Sequence, residues 1–321
     1  MKTLCGIKEL SKKPTRPVIT IGGFDGVHRG HQAVINETVN WAREMQGESI
    51  VLTFAAHPRN VLSGSAPSFI TSLEHRLLLF QRLDVSLAII LEFGEVSEMS
   101  AEHFVKGIIS ESLGAKGWVM GPNFAFGKDR KGDFTLASAL SKKYGFEIRS
   151  CPALKHGDET ISSTLVKESI LQGDLEKAKS MLGRSVTLMG TVVEGSGRGA
   201  RLGFPTANLD LHHEIRPPNG VYASIVKLDG RDFLSLTSIG TRPTFEAEEA
   251  EEVVEVYIID FDQSLYGKDL EIRFLFKLRD EIRFKSADAL RAQMDKDKKE
   301  VQRRLGKKTL TRQDPPPIMR T

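Results

Sequence analysis

The chain has 321 residues with 45 basic and 42 acidic groups, a formal charge of +3, and its length predicts two domains with real cores rather than one. Cys5 and Cys151 lie far apart with no paired Cys or His spacing, which excludes a disulfide framework and offers no zinc pattern. No apolar run approaches the roughly 20 residues that span a bilayer, and Met1–Leu4 opens no signal-peptide core, so a cytoplasmic protein without a membrane partner is expected.

From Pro17 to about Leu182, short apolar runs alternate with helical periods, the pattern of βαβ units on a parallel sheet. Residues 18–21, 50–54, 87–91 and 118–120 read as buried strands. Gln32–Met45 reads as a helix with an inward stripe of Val34, Ile35, Val39, Ala42 and Met45. This half is expected to be an α/β, Rossmann-like domain over residues 1–182. After Gly183 the segments 186–193, 221–226, 233–238, 253–259 and 271–278 read as strands between Gly and Pro turns, followed by a helix over 287–305. A mainly-β domain, a small antiparallel barrel or sandwich, is expected over 183–305. Five glutamates within 246–252 predict an exposed loop. Six basic groups crowd into 303–321 against Asp314 alone, leaving 39 basic and 41 acidic groups elsewhere. That is a near-neutral body with no nucleic-acid footprint, ending in a basic, Pro-containing tail over 306–321.

The most informative stretch follows the first of these strands: Gly22-Gly23-Phe24-Asp25-Gly26-Val27-His28-Arg29-Gly30-His31. Glycines there let the chain turn tightly and bring backbone N–H groups close to phosphate, and the helix start favours an anion. His28 and His31, three apart, point the same way. Imidazoles beside a polyphosphate can donate to oxygens that gain charge as pyrophosphate departs, which is what nucleotidyl transfer needs. The dinucleotide-binding fingerprint Gly-x-Gly-x-x-Gly is not met. His57, past the second strand, lies where open α/β sheets bind ligands, and a hydrogen-bonded structural histidine reads as well. Asn123 suits an adenine edge or ribose hydroxyl, or is a turn residue after Pro122. Ser162, Ser163 and Thr164 offer hydroxyls and helix N-terminal amides to a phosphate, or serve only as a cap.

The histidine motif resembles that of nucleotidylyltransferases. Its flanks, together with residues 53–58, 121–128 and 161–164, resemble the prokaryotic bifunctional riboflavin kinase/FMN adenylyltransferase (FAD synthetase) family. The likeness continues through Gly195–Asn208, with its Pro205-Thr206-Ala207-Asn208 core, and through 240–245, 254–256, 260–262 and 265–267. It implies ATP-dependent phosphorylation of riboflavin to FMN in the second half, and adenylylation of FMN to FAD in the first. It further implies that Gly23, Phe24, Asp25, Gly30, His57, Asn123, Ser162, Ser163, Thr164 and Lys167 surround nucleotide and phosphate, with His28 and His31 catalytic. In the second half it implies nucleotide contacts at Gly195, Arg198, Gly203 and Pro205, Mg²⁺ ligands at Thr206 and Asn208, and Glu255 as general base.

The sequence departs from the family at Ala56, where Pro is usual, at Leu165 and Lys167, where Arg is frequent, and at Ala200, also often Arg. Lys167 keeps a positive charge without the planar fork, and Leu165 removes it. Two alternatives follow: a riboflavin kinase whose adenylyltransferase half is weakened or lost, and a flavin-binding regulatory protein. Riboflavin, FMN and ATP are the expected partners. The oligomeric state stays open, a homo-oligomer among the options.

Overall fold

The computed structural model describes residues 1–55, 68–195, 199, 202–228, 230–242 and 251–306. His57, Ala56, Arg198, Ala200, Arg201 and the tail from 307 therefore lie outside the described residues. The chain divides into two compact units, Met1–Ser163 and Thr164–Thr321.

Continuous apolar runs build the first unit. Strands β1 (Lys2–Cys5), β2 (Val18–Ile21), β3 (Ser49–Phe54), β4 (Leu87–Leu91), β5 (Gly117–Met120) and β6 (Glu147–Ser150) form one sheet in the order β1-β4-β3-β2-β5-β6, with every pair parallel. Because side chains alternate along a strand, Ile50 and Leu52 join a cluster with Trp118, Phe104 and Ile109, while Val51 joins Ile35, Val39 and Phe80 in another. Helix α1 (Arg29–Glu44) buries Val34, Ile35, Val39 and Ala42, with Met45 packed at its end. It starts three residues before the sequence pattern predicts. Helix α2 (Leu73–Arg82) follows the segment that joins β3 to it. The chain runs from β2 outward to β3 and β4, then returns to β5 on the other side of β2. The switch point of the sheet therefore lies between the carboxyl ends of β2 and β5, the crevice where open α/β sheets bind ligands.

Two short strands, β7 (Lys155–His156) and β8 (Glu159–Thr160), make a hairpin before α6 (Ser163–Leu171), numbered after α3 (Phe93–Ser97), α4 (Ala101–Phe104) and α5 (Phe134–Tyr144). Helices α6 and α7 (Leu175–Leu182), which the sequence groups with the first half, lie in the second compact unit from Thr164 onward.

In the second unit β9 (Thr187–Val193), β10 (Thr206–Leu211), β11 (Gly220–Leu228), β12 (Arg231–Arg242), β13 (Glu251–Ile258) and β14 (Asp269–Arg279) form a closed antiparallel barrel in the order β10-β13-β12-β11-β14-β9. Closure removes the free edges that a sandwich would leave. Glu251 and Glu252 pair with Arg242 and Thr241, so this end of the acidic run continues the β12–β13 ladder instead of joining a loop. Residues 243–250 are not described.

Helix α8 (Ala287–Leu305) has the predicted bounds. It buries Val301 against a barrel face that carries Ala223, Ile225, Leu236 and Tyr257. Asp297, buried in α8, accepts from Arg279 Nε at 2.9 Å and Nη2 at 2.8 Å, and from Gln293 Nε2 at 2.7 Å, which ties the helix to β14.

Candidate functional site

The histidine segment occupies the switch point. After β2 the chain makes one 3₁₀ turn, Asp25–Val27, and then enters α1 with His28 as its N-cap. His28 thus stands one residue outside the first helical turn. Its Nδ1 accepts from the backbone N–H of His31 at 3.3 Å, which leaves Nε2–H as the donor of a neutral ring. The two imidazoles stack with centroids 3.6 Å apart. Gly30 makes this possible, since a Cβ there would sit 3.1 Å from the His28 ring.

His31 is also met edge-on by Phe24, whose ring in turn packs on Phe80. Among the described residues its Nδ1 is buried without a hydrogen-bond partner. Burial, then the neighbouring His28 and Arg76, hold His31 well below the ordinary histidine value, so it is neutral near pH 7.

Backbone strain marks the same turn. Phe24 and Val27 adopt φ of 49° and 40°, a region costly for a β-branched residue such as Val27. Residues 69–76 hold it there. Asp25 Oδ1 accepts from the N–H groups of Ile70 (2.9 Å) and Thr71 (3.1 Å), and Thr71 Oγ1 accepts from Gly26 N–H at 2.9 Å. Gly26, at φ 77°, lies against Ile70, where a Cβ would be 2.9 Å from Cδ1. Ser163 donates its hydroxyl to the Asp25 carbonyl at 2.9 Å, so this serine supports the histidine loop directly.

Asn123 is exposed in a turn just past the carboxyl end of β5, closed by Phe124 N–H to Gly121 O at 3.3 Å. It therefore flanks the switch point from the side opposite β3. Gly23 supplies a carbonyl to the support beneath the loop. Ser162 is half-buried; Thr164, Leu165 and Lys167 belong to the second compact unit.

The sequence reading missed Arg76. Helix α2 buries His75, Arg76, Leu79 and Phe80, so a guanidinium occupies a core position. The available signal was an arginine sharing the apolar face of an otherwise amphipathic helix.

The second site is built by strand register. In the β10–β13 pair Thr206 faces Tyr257, Ala207 faces Val256, and Asn208 faces Glu255. Directly opposed side chains in an antiparallel pair lie about 4.5–5.5 Å apart at Cβ, so the predicted metal ligand and the predicted base are neighbours. Ala207 and Val256, the intervening pair, line a cavity of about 280 Å³ together with Pro205, Thr206, Ile258 and the loop Phe261–Tyr266.

The glycine segment lies on this edge. A Cβ on Gly195 would meet Asn208 Nδ2, and one on Gly199 would come within 3.0 Å of Thr206 Oγ1. Gly203 adopts φ 83° in the turn that leads into β10. The oxygens of Thr206 and Asn208, approached closely by Gly195 and Gly199, fit a small hard cation carrying phosphates.

Two family models match the chain: FAD synthetase over residues 10–165 and riboflavin kinase over residues 182–305. Proteins described as bifunctional riboflavin kinase/FMN adenylyltransferase align over most of it. The relative from Haemophilus influenzae is 33% identical over 300 residues, covering 92% of this chain and 97% of its own. That from Escherichia coli is 34% identical, covering 92% and 96%. The chain belongs to the bifunctional riboflavin kinase/FMN adenylyltransferase family. A Listeria monocytogenes member is 35% identical, covering 88% of this chain and 91% of its own. Among solved structures, one described as a macrolide-efflux protein from Streptococcus pneumoniae matches with a TM-score of 0.79 at 29% identity, covering 94% of this chain and 98% of that one. Among the described residues of this family member, no helix is long and apolar enough to cross a membrane.

Proposed function

We propose that this chain is a cytoplasmic enzyme that makes FAD in two ATP-dependent steps. The second unit, with a functional core at 183–305, converts riboflavin and ATP to FMN and ADP. Residues 1–182 join FMN to the adenylyl group of a second ATP and release pyrophosphate. The observation that carries this reading is the coexistence, in one chain, of a stacked histidine pair at a sheet switch point and an Asn208–Glu255 pair on a barrel edge.

In the kinase step Glu255 accepts the proton of the riboflavin 5′-hydroxyl as its oxygen attacks the terminal phosphorus of ATP. Thr206 and Asn208 would hold Mg²⁺ through oxygen, with Gly195, Gly203 and, outside the described residues, Arg198 as the nucleotide contacts. The cavity beside Pro205 and Thr206 takes the nucleoside end. Magnesium held there would supply positive charge to offset the charge that develops during transfer.

In the adenylyl step an FMN phosphate oxygen attacks the α-phosphorus of ATP, and the bond to pyrophosphate breaks. Two neutral imidazoles with no bulk at Gly30 donate N–H to the leaving oxygens, an arrangement that strengthens as charge accumulates. Asn123 orients the adenosine. Ser162 and Ser163 complete the phosphate contacts, with Phe24, Asp25 and Gly23 forming the floor.

Incubation of the purified chain with riboflavin, ATP and Mg²⁺, followed by separation of the flavins over time, tests the proposal. FMN should rise and then feed FAD. FMN accumulating alone would mean that Leu165 and Lys167 have cost the adenylyltransferase; no conversion by folded protein would overturn the assignment.

A further inference from the structure

Arg76 carries five N–H groups, and the structure gives each an acceptor. Nε donates to Ser72 O at 3.4 Å. Nη1 donates to Gly23 O at 2.6 Å and Thr53 Oγ1 at 3.1 Å. Nη2 donates to Phe54 O at 3.0 Å and Ala55 O at 3.3 Å. The side chain is 2% exposed. A guanidinium with no donor to spare has none for substrate, so its work is done on the protein. Its acceptors join three segments: the start of the strained loop after β2, the carboxyl end of β3 leading toward residue 57, and the first turn of α2.

A charge is expensive to bury, and Leu79 and Phe80 show that this helix face accepts apolar side chains readily. An apolar residue at 76 would leave the carbonyls of Gly23, Phe54 and Ala55 without this donor, at the entrance to the turn that holds Phe24 at φ 49° and Val27 at φ 40°. Lysine has three donors on a single nitrogen and cannot span this fork. The five-donor fork thus fixes the backbone from which Phe24 supports His31.

Resting on the adenylyltransferase reading above, we propose that Arg76 is a positioning residue for adenylyl transfer. Its guanidinium locks the β2 loop to the end of β3 and so fixes where His28 and His31 stand as pyrophosphate leaves.

Arg76→Lys, Arg76→Met and Thr53→Val in the full-length chain test this. For each, kcat and KM are measured for FAD formation from FMN and ATP, and riboflavin phosphorylation is measured in the same preparation as an internal control. Misplacing a reacting group by about 1 Å costs on the order of 10²-fold, so Arg76→Lys should lower kcat for FAD by roughly that factor. KM for FMN and ATP should stay within about threefold, because groups that act in the transition state are read in kcat. Arg76→Met should lower kcat at least as far. Thr53→Val, which removes one acceptor at constant shape, should lower it about threefold, and it decides the matter if the Arg76 variants fail to fold. Unchanged kcat in the folded variants overturns the proposal. So does a rise in KM for ATP at constant kcat, or an equal loss of both activities with a falling Tm. Failure of the parent chain to make any FAD sinks the functional reading itself, and that measurement comes first.

Discussion

His28 and His31 are held by groups drawn from residues 23–76, and by Ser163, through side-chain to backbone bonds. Asn208 and Glu255 stand opposite one another because two strands pair. The first arrangement depends on individual atoms: a carboxylate, a hydroxyl, a guanidinium and two glycines, each replaceable only at a cost. The second depends on a ladder in which backbone groups do the holding and side chains are free to be chosen for chemistry. A site of the first kind is precise and fragile. A site of the second kind tolerates change everywhere except in its register and its closest contacts.

The sharpest test of this contrast is Glu255→Gln. It keeps the β10–β13 ladder and removes the proposed base, so FMN formation should fall about 10²–10⁴-fold while FAD formation from supplied FMN is unchanged in the same assay. His28→Ala should do the reverse. Losing one preorganised donor costs about 10²–10³-fold in kcat, here in FAD formation alone, read by separating the flavins.

Asp297→Ala separates scaffold from site. It removes the carboxylate partner of the half-buried Arg279 beside α8 and should destabilise the barrel unit by about 2 kcal/mol in urea unfolding, with FAD formation from FMN retained at low denaturant. Gly195→Ala places a methyl on the Asn208 amide. It should raise the Mg²⁺–ATP requirement of the kinase about tenfold, with little change in Tm.

The smallest effect is on pH. His31 is held below its unfolded value, which is about 6.5. Below that pH the unfolded chain binds a proton that the folded chain refuses. Stability of the first unit is therefore complete above about pH 6.5 and falls on acidification by up to about 1.4 kcal/mol per pH unit. Unfolding curves between pH 5 and 7 should show this slope, and His31→Gln should flatten it.

The same contrast explains what could be read from sequence. Strands buried on both faces, such as Val18–Ile21 and Leu87–Leu91, are apolar runs with little ambiguity, and α8 runs between a Ser286 cap and Gly306. Strand β1, with only Leu4 buried, and the edge strand β6, with no buried residue, carry too little apolar signal to stand out. Strand β10 was read as a continuation of the glycine segment. Its alternation of Leu209 and Leu211 with Asn208 and Asp210 is real but is masked by Pro205 and by residues chosen for chemistry. The histidines, Gly30 and the Thr206–Asn208 spacing were visible as local patterns. Arg76 was not, because a charge on a helix is ordinarily solvated, and only the fold reveals that its five acceptors converge from three segments.

The facing of Asn208 and Glu255 also sets how this family member can change by insertion and deletion. Side chains in a strand alternate with a period of two, so loss of one residue from β10 ahead of Asn208 would turn its side chain to the opposite face of the strand while Glu255 stayed in place. Length variation near the kinase edge must therefore fall outside β10, in the glycine segment before Pro205 or in the turn after Leu211, or come two residues at a time.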